Sequence, residues 1–208
     1  MTLPERYFAA MYEGSSDPWG FDHRWYEERK RALTLAALPE SRYRTAFEPG
    51  CSTGMLTRSL ADRCDSLLAT DVSAVALALA AERLAGLPHV RLARSALPAG
   101  WPEGEFDLVV VSEVLYYLSS EDLATVTERA IGAVAPGGTL LSVHWRHPVQ
   151  DYPQTGDAVQ QAVAEAAVGR LVRSVHHSEA DLDLTVHVRA RPGEDRSRLS
   201  VAAREGLC

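Results

Sequence analysis

Hydrophobic positions near the N-terminus recur with a helical period. Apolar side chains such as Tyr7 and Met11 are spaced by about one helical turn in residues 4–13, and the same spacing returns in residues 24–38. The stretch between them, residues 14–21, contains proline and glycine, which are typical of a loop. We therefore predict two short helices that form a cap on the rest of the chain.

From residue 44 the pattern changes to short apolar runs that alternate with helical segments. Strands that alternate with helices need crossover connections, which give a parallel sheet with helices on both faces. The run Val109, Val110 and Val111 has no polar alternation, as expected of a strand buried on both faces. The predicted strands are residues 45–49, 67–71, 90–93, 106–113 and 138–145.

Two later runs, residues 170–177 and 182–190, are predicted to be strands at the edge of the sheet, joined by a polar turn. The whole pattern predicts a single doubly wound α/β domain. Within it we expect an N-terminal helical lid at residues 1–40, the ligand-binding domain at 41–192 and a flexible C-terminal tail at 193–208.

Composition and charge argue against several classes of protein: nucleic-acid-binding, membrane-spanning and secreted. A chain of 208 residues is one large domain by length, and its net charge of −7 argues against a uniformly basic nucleic-acid surface. No apolar run is long enough to cross a bilayer, and the first residues lack a signal-peptide pattern. The three cysteines, Cys51, Cys64 and Cys208, form no CxxC pair. We expect a cytoplasmic protein with no membrane or nucleic-acid partner.

The first predicted strand closes on Glu48 and leads into a loop that contains Gly50 and Gly54. Glycines let the backbone turn and approach a ligand, and the helix that follows presents unpaired N–H groups. The second strand ends in Asp71, about twenty residues later, where an acid accepts hydrogen bonds from ribose hydroxyls. Together these features predict a nucleoside site. Taken singly, the glycines also suit a turn, and Asp71 also suits a helix N-cap.

The spacing of the loop helps to choose among nucleosides. It reads G-x-x-x-G with Ser52 in the middle, not the G-x-G-x-x-G of dinucleotide sites. The carboxylate of Glu48 beside it would repel a pyrophosphate but attract an ammonium or sulfonium group. S-adenosylmethionine is therefore favoured over NAD, and a NAD-binding oxidoreductase is kept as an alternative.

These residues resemble the class I S-adenosylmethionine-dependent methyltransferases over residues 44–145. The likeness rests on Glu48-x-Gly50-x-x-x-Gly54, on Asp71, and on the segments at 106–110 and 136–138. It implies a Rossmann-like sandwich with a seven-stranded, mostly parallel sheet and an antiparallel edge strand. It also implies S-adenosylmethionine as the cofactor, without a metal.

A narrower likeness involves Asp17-Pro18-Trp19 and the segments at 28–31 and 112–118. These are similar to nodulation protein S, a family that N-methylates the deacetylated glucosamine end of chito-oligosaccharides. The resemblance implies an N-methyltransferase acting on a small molecule or oligosaccharide, as a monomer or homodimer. Residues 142–156 differ from the rhizobial members, so an O-methyltransferase of a natural-product small molecule stays as an alternative. A non-catalytic nucleoside-binding module is kept as a separate alternative.

The loop, the strand ends and the resemblance together indicate which residues bind the cofactor. An aromatic lid, a basic residue for the methionyl carboxylate, and Ser95 in place of the usual adenine-binding aspartate are among them. The predicted cofactor residues are Trp19, Tyr26, Arg29, Glu48, Gly50, Cys51, Ser52, Gly54, Asp71, Val72, Ser95, Ala96, Leu97, Ser112 and Glu113.

Catalytic candidates lie at the ends of the fourth and fifth strands, beside the expected ligand crevice. A carboxylate with aromatic neighbours attracts a cationic amine, and a neutral histidine accepts its proton. The alternatives are a helix cap, packing aromatics and a structural histidine. The predicted catalytic residues are Glu113, Tyr116 and His144, and the predicted substrate contacts are Tyr117, Trp145 and Asp151.

Overall fold

The structure, a computed structural model, describes residues 1–207. Cys208, the last residue of the predicted tail, lies outside them. Within the described residues the strands are β1 (Tyr43–Pro49), β2 (Cys64–Asp71), β3 (Val90–Arg94), β4 (Phe106–Ser112), β5 (Val134–Trp145), β6 (Val172–Ser178) and β7 (Leu182–Val188). The α-helices are α1 (Glu5–Glu13), α2 (Trp25–Ala36), α3 (Met55–Ala61), α4 (Ala74–Arg83), α5 (Ser120–Gly132), α6 (Gly156–Ala167) and α7 (Val201–Arg204).

The seven strands form one sheet in the order β3-β2-β1-β4-β5-β7-β6. The first five of these strands pair in parallel, and β7 runs antiparallel to both of its neighbours, β5 and β6. This confirms the predicted Rossmann-like sheet. The antiparallel strand is β7, one place in from the edge, because the hairpin folds back and inserts it between β5 and β6.

The apolar run of β4 is buried on both faces of the sheet. Val109 and Val111 pack with the helices on one face, whereas Leu108 and Val110 belong to the core on the other face, and all four are fully buried. Successive side chains of a strand point to opposite faces. The absence of polar alternation in the sequence therefore follows from helices covering both sides.

Helix α6 is the main element that the sequence pattern did not predict. Thr155 caps it by accepting a hydrogen bond from Ala158 N–H, and Val159 and Val163 form its buried side. Val159, Val163 and Ala167 are buried at helical spacing, so the sequence does carry a signal for this helix. None of the helices in residues 1–207 is long and apolar enough to cross a membrane.

Parallel strands bring their carboxyl ends to one edge of the sheet, where β1 and β4 lie side by side. The chain leaves β1 and β4 in opposite directions, and such a switch point opens a crevice for ligands. The N-terminal segment lies over this edge, since Leu3 N–H donates to Tyr117 O at 2.9 Å. The two predicted N-terminal helices are present and cover the crevice.

Gly54, the residue before α3, packs closely on α4, and its substitution by alanine measures how tight this packing is. Its φ is +79°, and a Cβ there would lie 3.2 Å from both Ala80 Cβ and Leu84 Cδ1. Gly86 has a similar φ of +88° but open space around it. Both alanine variants should lose about 1–2 kcal/mol through left-handed backbone strain, and Gly54→Ala should lose about 1 kcal/mol more through overpacking. Urea unfolding measures both losses, and equal losses would contradict the packing argument.

Candidate active site

The loop after β1 is held in a conformation that requires glycine. Gly50 has a φ of +73°, and a Cβ there would lie 2.9 Å from Val114 Cγ2. The N–H groups of Gly50 and Cys51 both donate to Thr70 O, at 2.7 and 2.9 Å. The loop is thereby fixed against the end of β2, with its backbone exposed to the crevice.

Asp71, at the end of β2, is oriented by two backbone donors. Ser52 N–H donates to Asp71 Oδ2 at 2.9 Å, and Ser73 N–H donates to Oδ1 at 2.8 Å. Burial raises the pKa of Asp71, and these N–H groups partly offset the rise. Because each carboxylate oxygen has a further lone pair, Asp71 remains able to accept hydrogen bonds from a ligand.

A cavity of about 350 Å³ lies over the strand ends, and a second, smaller one of about 60 Å³ adjoins it. Gly50, Ser52 and Glu113 line both of them. The larger volume is within the range of small-molecule sites. Aromatic side chains form much of its wall: Phe8, Tyr12, Trp19, Phe21, Tyr26, Tyr116, Tyr117, Trp145 and Tyr152.

The N-terminal segment covers the cavity through specific contacts. Tyr12 Oη and Ser52 Oγ are 2.7 Å apart in a hydrogen bond that joins α1 to the glycine loop. Trp19 packs edge-on against Tyr12 and stacks on Phe21, with ring centroids 5.7 and 5.6 Å apart. Asp17 fixes this aromatic loop by accepting a hydrogen bond from Phe21 N–H at 2.7 Å.

A buried cluster of three charged side chains connects α2 to the end of β4. Lys30 Nζ donates to Glu27 Oε1 at 3.0 Å and to Glu113 Oε1 at 2.9 Å, and it lies 5.1 Å from the centre of the Tyr26 ring. Lys30 is only 6% exposed and Glu27 only 7%. We call Glu27, Lys30 and Glu113 the charged triad. Sequence reasoning did not predict it.

Glu113 already accepts hydrogen bonds from several donors. Besides Lys30, its carboxylate accepts from Tyr116 Oη–H and from Trp145 N–H, the latter at 3.1 Å. Burial alone would raise the pKa of Glu113, but the charge of Lys30 and the hydrogen bond from Tyr116 lower it below its ordinary value. Glu113 is therefore ionised and holds the ends of β4 and β5 and the first α2 turns together.

Glu48, at the end of β1, differs from Glu113 because its pKa is raised instead of lowered. It lines the smaller cavity, is only 2% exposed, and its Oε2 has no hydrogen-bond partner among the described residues. Burial raises the pKa of Glu48 to about 8, and the charge of Asp71 contributes to the rise. The smaller cavity thus contains an unpaired carboxyl oxygen that suits a hydrogen-bond donor.

The structure brings most of the predicted site residues to these cavities. Of the predicted cofactor residues, those that line one or both are Trp19, Tyr26, Glu48, Gly50, Cys51, Ser52, Asp71, Val72, Ser95, Ala96, Leu97, Ser112 and Glu113. Of the other predicted residues, Tyr116, Tyr117 and Trp145 line the larger cavity. Ser95 Oγ donates to Gly100 O at 2.7 Å, so its oxygen remains available only as an acceptor.

Four predicted residues do not line either cavity. Arg29 lies on another side of α2 from Glu27 and Lys30, and its guanidinium donates to both Glu179 oxygens at 2.5 and 2.8 Å. Gly54 packs against α4 instead, and Asp151 is exposed in the loop after β5.

His144, the fourth of these residues, is fully buried below the cavity wall. Its Nε2 accepts a hydrogen bond from Leu115 N–H at 3.3 Å, and Nδ1 is 3.3 Å from Ser142 Oγ. Burial lowers the pKa of His144 to about 4. The ring is neutral and both nitrogens have protein partners, so the structure does not place it to take a proton from a molecule in the cavity.

Comparisons with known proteins show which family the chain belongs to. The methyltransferase domain family matches residues 47–140, from the end of β1 into β5. A solved structure from Pseudomonas syringae, assigned to the methyltransferases, is 46% identical in sequence to this chain. The match covers 80% of this chain and 100% of that chain, with a TM-score of 0.70. The chain belongs to the class I S-adenosylmethionine-dependent methyltransferases.

Within this family the methyltransferase resembles proteins of nodulation. Nodulation protein S of Rhizobium tropici is 32% identical over 129 residues, which are 61% of this chain and 54% of that protein. The chain therefore matches only about half the length of this curated relative. The structure of the N-methyltransferase NodS of Bradyrhizobium japonicum WM9, in complex with S-adenosyl-L-homocysteine, has the same fold, with a TM-score of 0.78 at 24% identity over 88% of this chain and 97% of that chain.

The raised pKa of Glu48 predicts a pH-dependent cost to the methyltransferase fold. The folded state holds this proton up to about pH 8, whereas the unfolded chain releases it near 4.5. Stability should therefore fall as pH rises through this window, by up to roughly 1.4 kcal/mol per pH unit. Relative to Glu48→Gln, the wild type should lose stability between pH 5 and pH 8 in urea unfolding. A constant difference across that range would contradict the burial of an unpaired carboxyl.

Proposed function

We propose that the methyltransferase methylates an amine nitrogen of a small molecule, with a free glucosamine unit of an oligosaccharide as the substrate class. The observation that carries this proposal is the charged triad, in which two carboxylates face one ammonium beside aromatic rings. Carboxylates and aromatic faces both attract a cationic amine. The similarity to nodulation protein S supports the same class of acceptor.

The residues around the cavities fit S-adenosylmethionine. Asp71 retains lone pairs for the ribose hydroxyls, and Glu48 offers its unpaired oxygen near the glycine loop to an N–H donor of the methionine portion, whose positive charge would favour the ionised form of this carboxyl. Gly50 lets the loop pack closely against Val114 while it lines both cavities. The segment at 95–97 lines the same cavity and would contact the adenine ring.

When bound, S-adenosylmethionine supplies a methyl group that is already activated on a sulfonium sulfur. The protein's task is to align the acceptor nitrogen and to keep water out. Glu113 fixes Tyr116 and the backbone of Trp145 at one wall of the cavity. Tyr12, Trp19 and Phe21 cover the opposite side.

An amine suits this cavity better than a hydroxyl. An amine becomes nucleophilic once its ammonium loses a proton, which takes place near neutral pH for weakly basic amines. A sugar hydroxyl is a far weaker acid and needs a stronger base. Among residues 1–207, no histidine lines the larger cavity, Glu113 is occupied by three donors, and a carboxylate such as that of Glu27 is too weak a base for a hydroxyl. These features favour N-methylation.

Asp71→Ala should weaken binding of S-adenosylhomocysteine by about 1–3 kcal/mol, because hydrogen bonds to a charged group are lost. Titration calorimetry measures this change. Asp65→Ala is the matched control, since Asp65 lies on the same strand but is exposed and paired with Arg42. Unchanged affinity in the Asp71 variant would remove the proposed ribose contact.

The acceptor class is tested with two oligosaccharides of equal length. A glucosamine tetramer with free amines should gain one methyl group by mass spectrometry when incubated with the enzyme and S-adenosylmethionine. The fully N-acetylated tetramer, which has the same hydroxyls but no amine, should gain none. Methylation of both would indicate O-methylation, and methylation of neither, with cofactor binding intact, would exclude amino sugars of this kind.

A further inference from the structure

The charged triad contains one more carboxylate than its ammonium can neutralise. Glu27 and Glu113 both bind the single Nζ of Lys30, and all three side chains are largely screened from water. Arg31 also lines the smaller cavity, but its guanidinium donates to Phe21 O at 3.0 Å. A buried excess of negative charge is costly unless a cation or a proton compensates it.

The carboxylates of Glu27 and Glu113 differ in whether one oxygen is left without a hydrogen-bond partner. Both oxygens of Glu113 accept hydrogen bonds, from Lys30 on one side and from Tyr116 and Trp145 N–H on the other. Glu27 uses only Oε1, and its Oε2 has no hydrogen-bond partner among residues 1–207. Glu27 also lines both cavities, at the place where they meet. Its free oxygen is therefore the one that a bound molecule can reach.

We propose that Glu27 accepts the proton that the acceptor ammonium loses before methyl transfer. This inference rests on the proposed N-methylation. In the step, an N–H bond of the ammonium breaks, its electron pair stays on nitrogen, and an O–H bond forms on Glu27. The neutral nitrogen then forms the N–C bond while the C–S bond of the cofactor breaks, with the electron pair going to sulfur.

The surroundings of Glu27 suit such an exchange. The charged groups that face it are Lys30 and Arg31 on its own helix and Glu113 at the end of β4. Burial raises the pKa of Glu27, the two cations offset part of the rise, and the charge of Glu113 adds to it. A carboxyl with a raised pKa is closer to the proton affinity of an amine. Lys30 is a positioning residue in this scheme, because it holds both carboxylates.

The test compares Glu27→Gln with Glu28→Gln across pH. Glutamine preserves the size of the side chain and an acceptor for Lys30, whereas Glu28 is the exposed neighbour on the same helix. With the glucosamine tetramer as acceptor, Glu27→Gln should lower kcat about 100-fold near neutral pH. The loss should shrink as pH rises, because solvent then removes the ammonium proton. Glu28→Gln should follow the wild-type profile.

Binding of S-adenosylhomocysteine by calorimetry gives a readout that does not depend on turnover. The proposal expects Glu27→Gln to bind within about threefold of wild type, and Glu27→Asp to recover part of the rate and the wild-type shape of the pH profile. A tenfold or larger loss of affinity would assign Glu27 to the cofactor and overturn the proposal. Equal loss of kcat at every pH, or none, would overturn it as well.

The two levels of the proposal fail in different ways. If the wild type methylates the tetramer and Glu27→Gln has the same pH profile as the wild type, only the proposed role of Glu27 is contradicted. If the wild type binds S-adenosylhomocysteine but methylates no amine, the proposed function falls and the role of Glu27 falls with it.

Discussion

The buried ammonium of Lys30 connects the lid to the sheet. It lies between Glu27 on α2 and Glu113 at the end of β4, so it joins the α2 helix to the strand ends, beside the apolar contacts that Tyr26 and Leu33 make with the core. Removing one partner of a buried ion pair leaves an uncompensated charge, at a cost of about 3–5 kcal/mol. All three residues of the charged triad line the larger cavity, so this contact joins two parts of its wall.

The glycine loop and Asp71 provide the second fixed element. Thr70 O accepts from two loop N–H groups, and the Asp71 carboxylate accepts from Ser52 N–H on the loop. These bonds join the ends of β1 and β2 without any ligand. In the proposed function, the cofactor half of the site is thus preorganised by backbone contacts, whereas aromatic side chains and the charged triad form the proposed acceptor half.

Sequence reasoning could predict what depends on local spacing. The strands, the glycine loop and Asp71 follow from residues close together in the chain, and they were all predicted. The charged triad was not, because Lys30 and Glu113 are 83 positions apart and because the inward side of α2, with Glu27, Lys30 and Thr34, is polar. A search for an apolar stripe cannot identify such a helix face. Because the inward side of α2 is polar, the sequence does not show which of its charged residues faces the cavity, and Arg29 was predicted there in place of Lys30.

The direction of the His144 side chain also could not be predicted from local spacing. Its position at a strand end predicted a place in the crevice, but its direction depends on Tyr116 and on the N–H of Leu115 in the turn that follows β4. Those contacts are tertiary and leave no periodic signal. Glu113 was predicted at the site from its strand-end position, whereas the three donors that occupy it are visible only in the fold.

The most direct test of this account is a crystal structure of the methyltransferase with S-adenosylhomocysteine and a glucosamine oligomer. The account predicts ribose hydroxyls on the Asp71 carboxylate, Lys30 still bridging Glu27 and Glu113, and an amine nitrogen within hydrogen-bond distance of Glu27. A complex in which the cofactor separates Lys30 from Glu27, or in which the nucleoside lies away from Asp71, would contradict it.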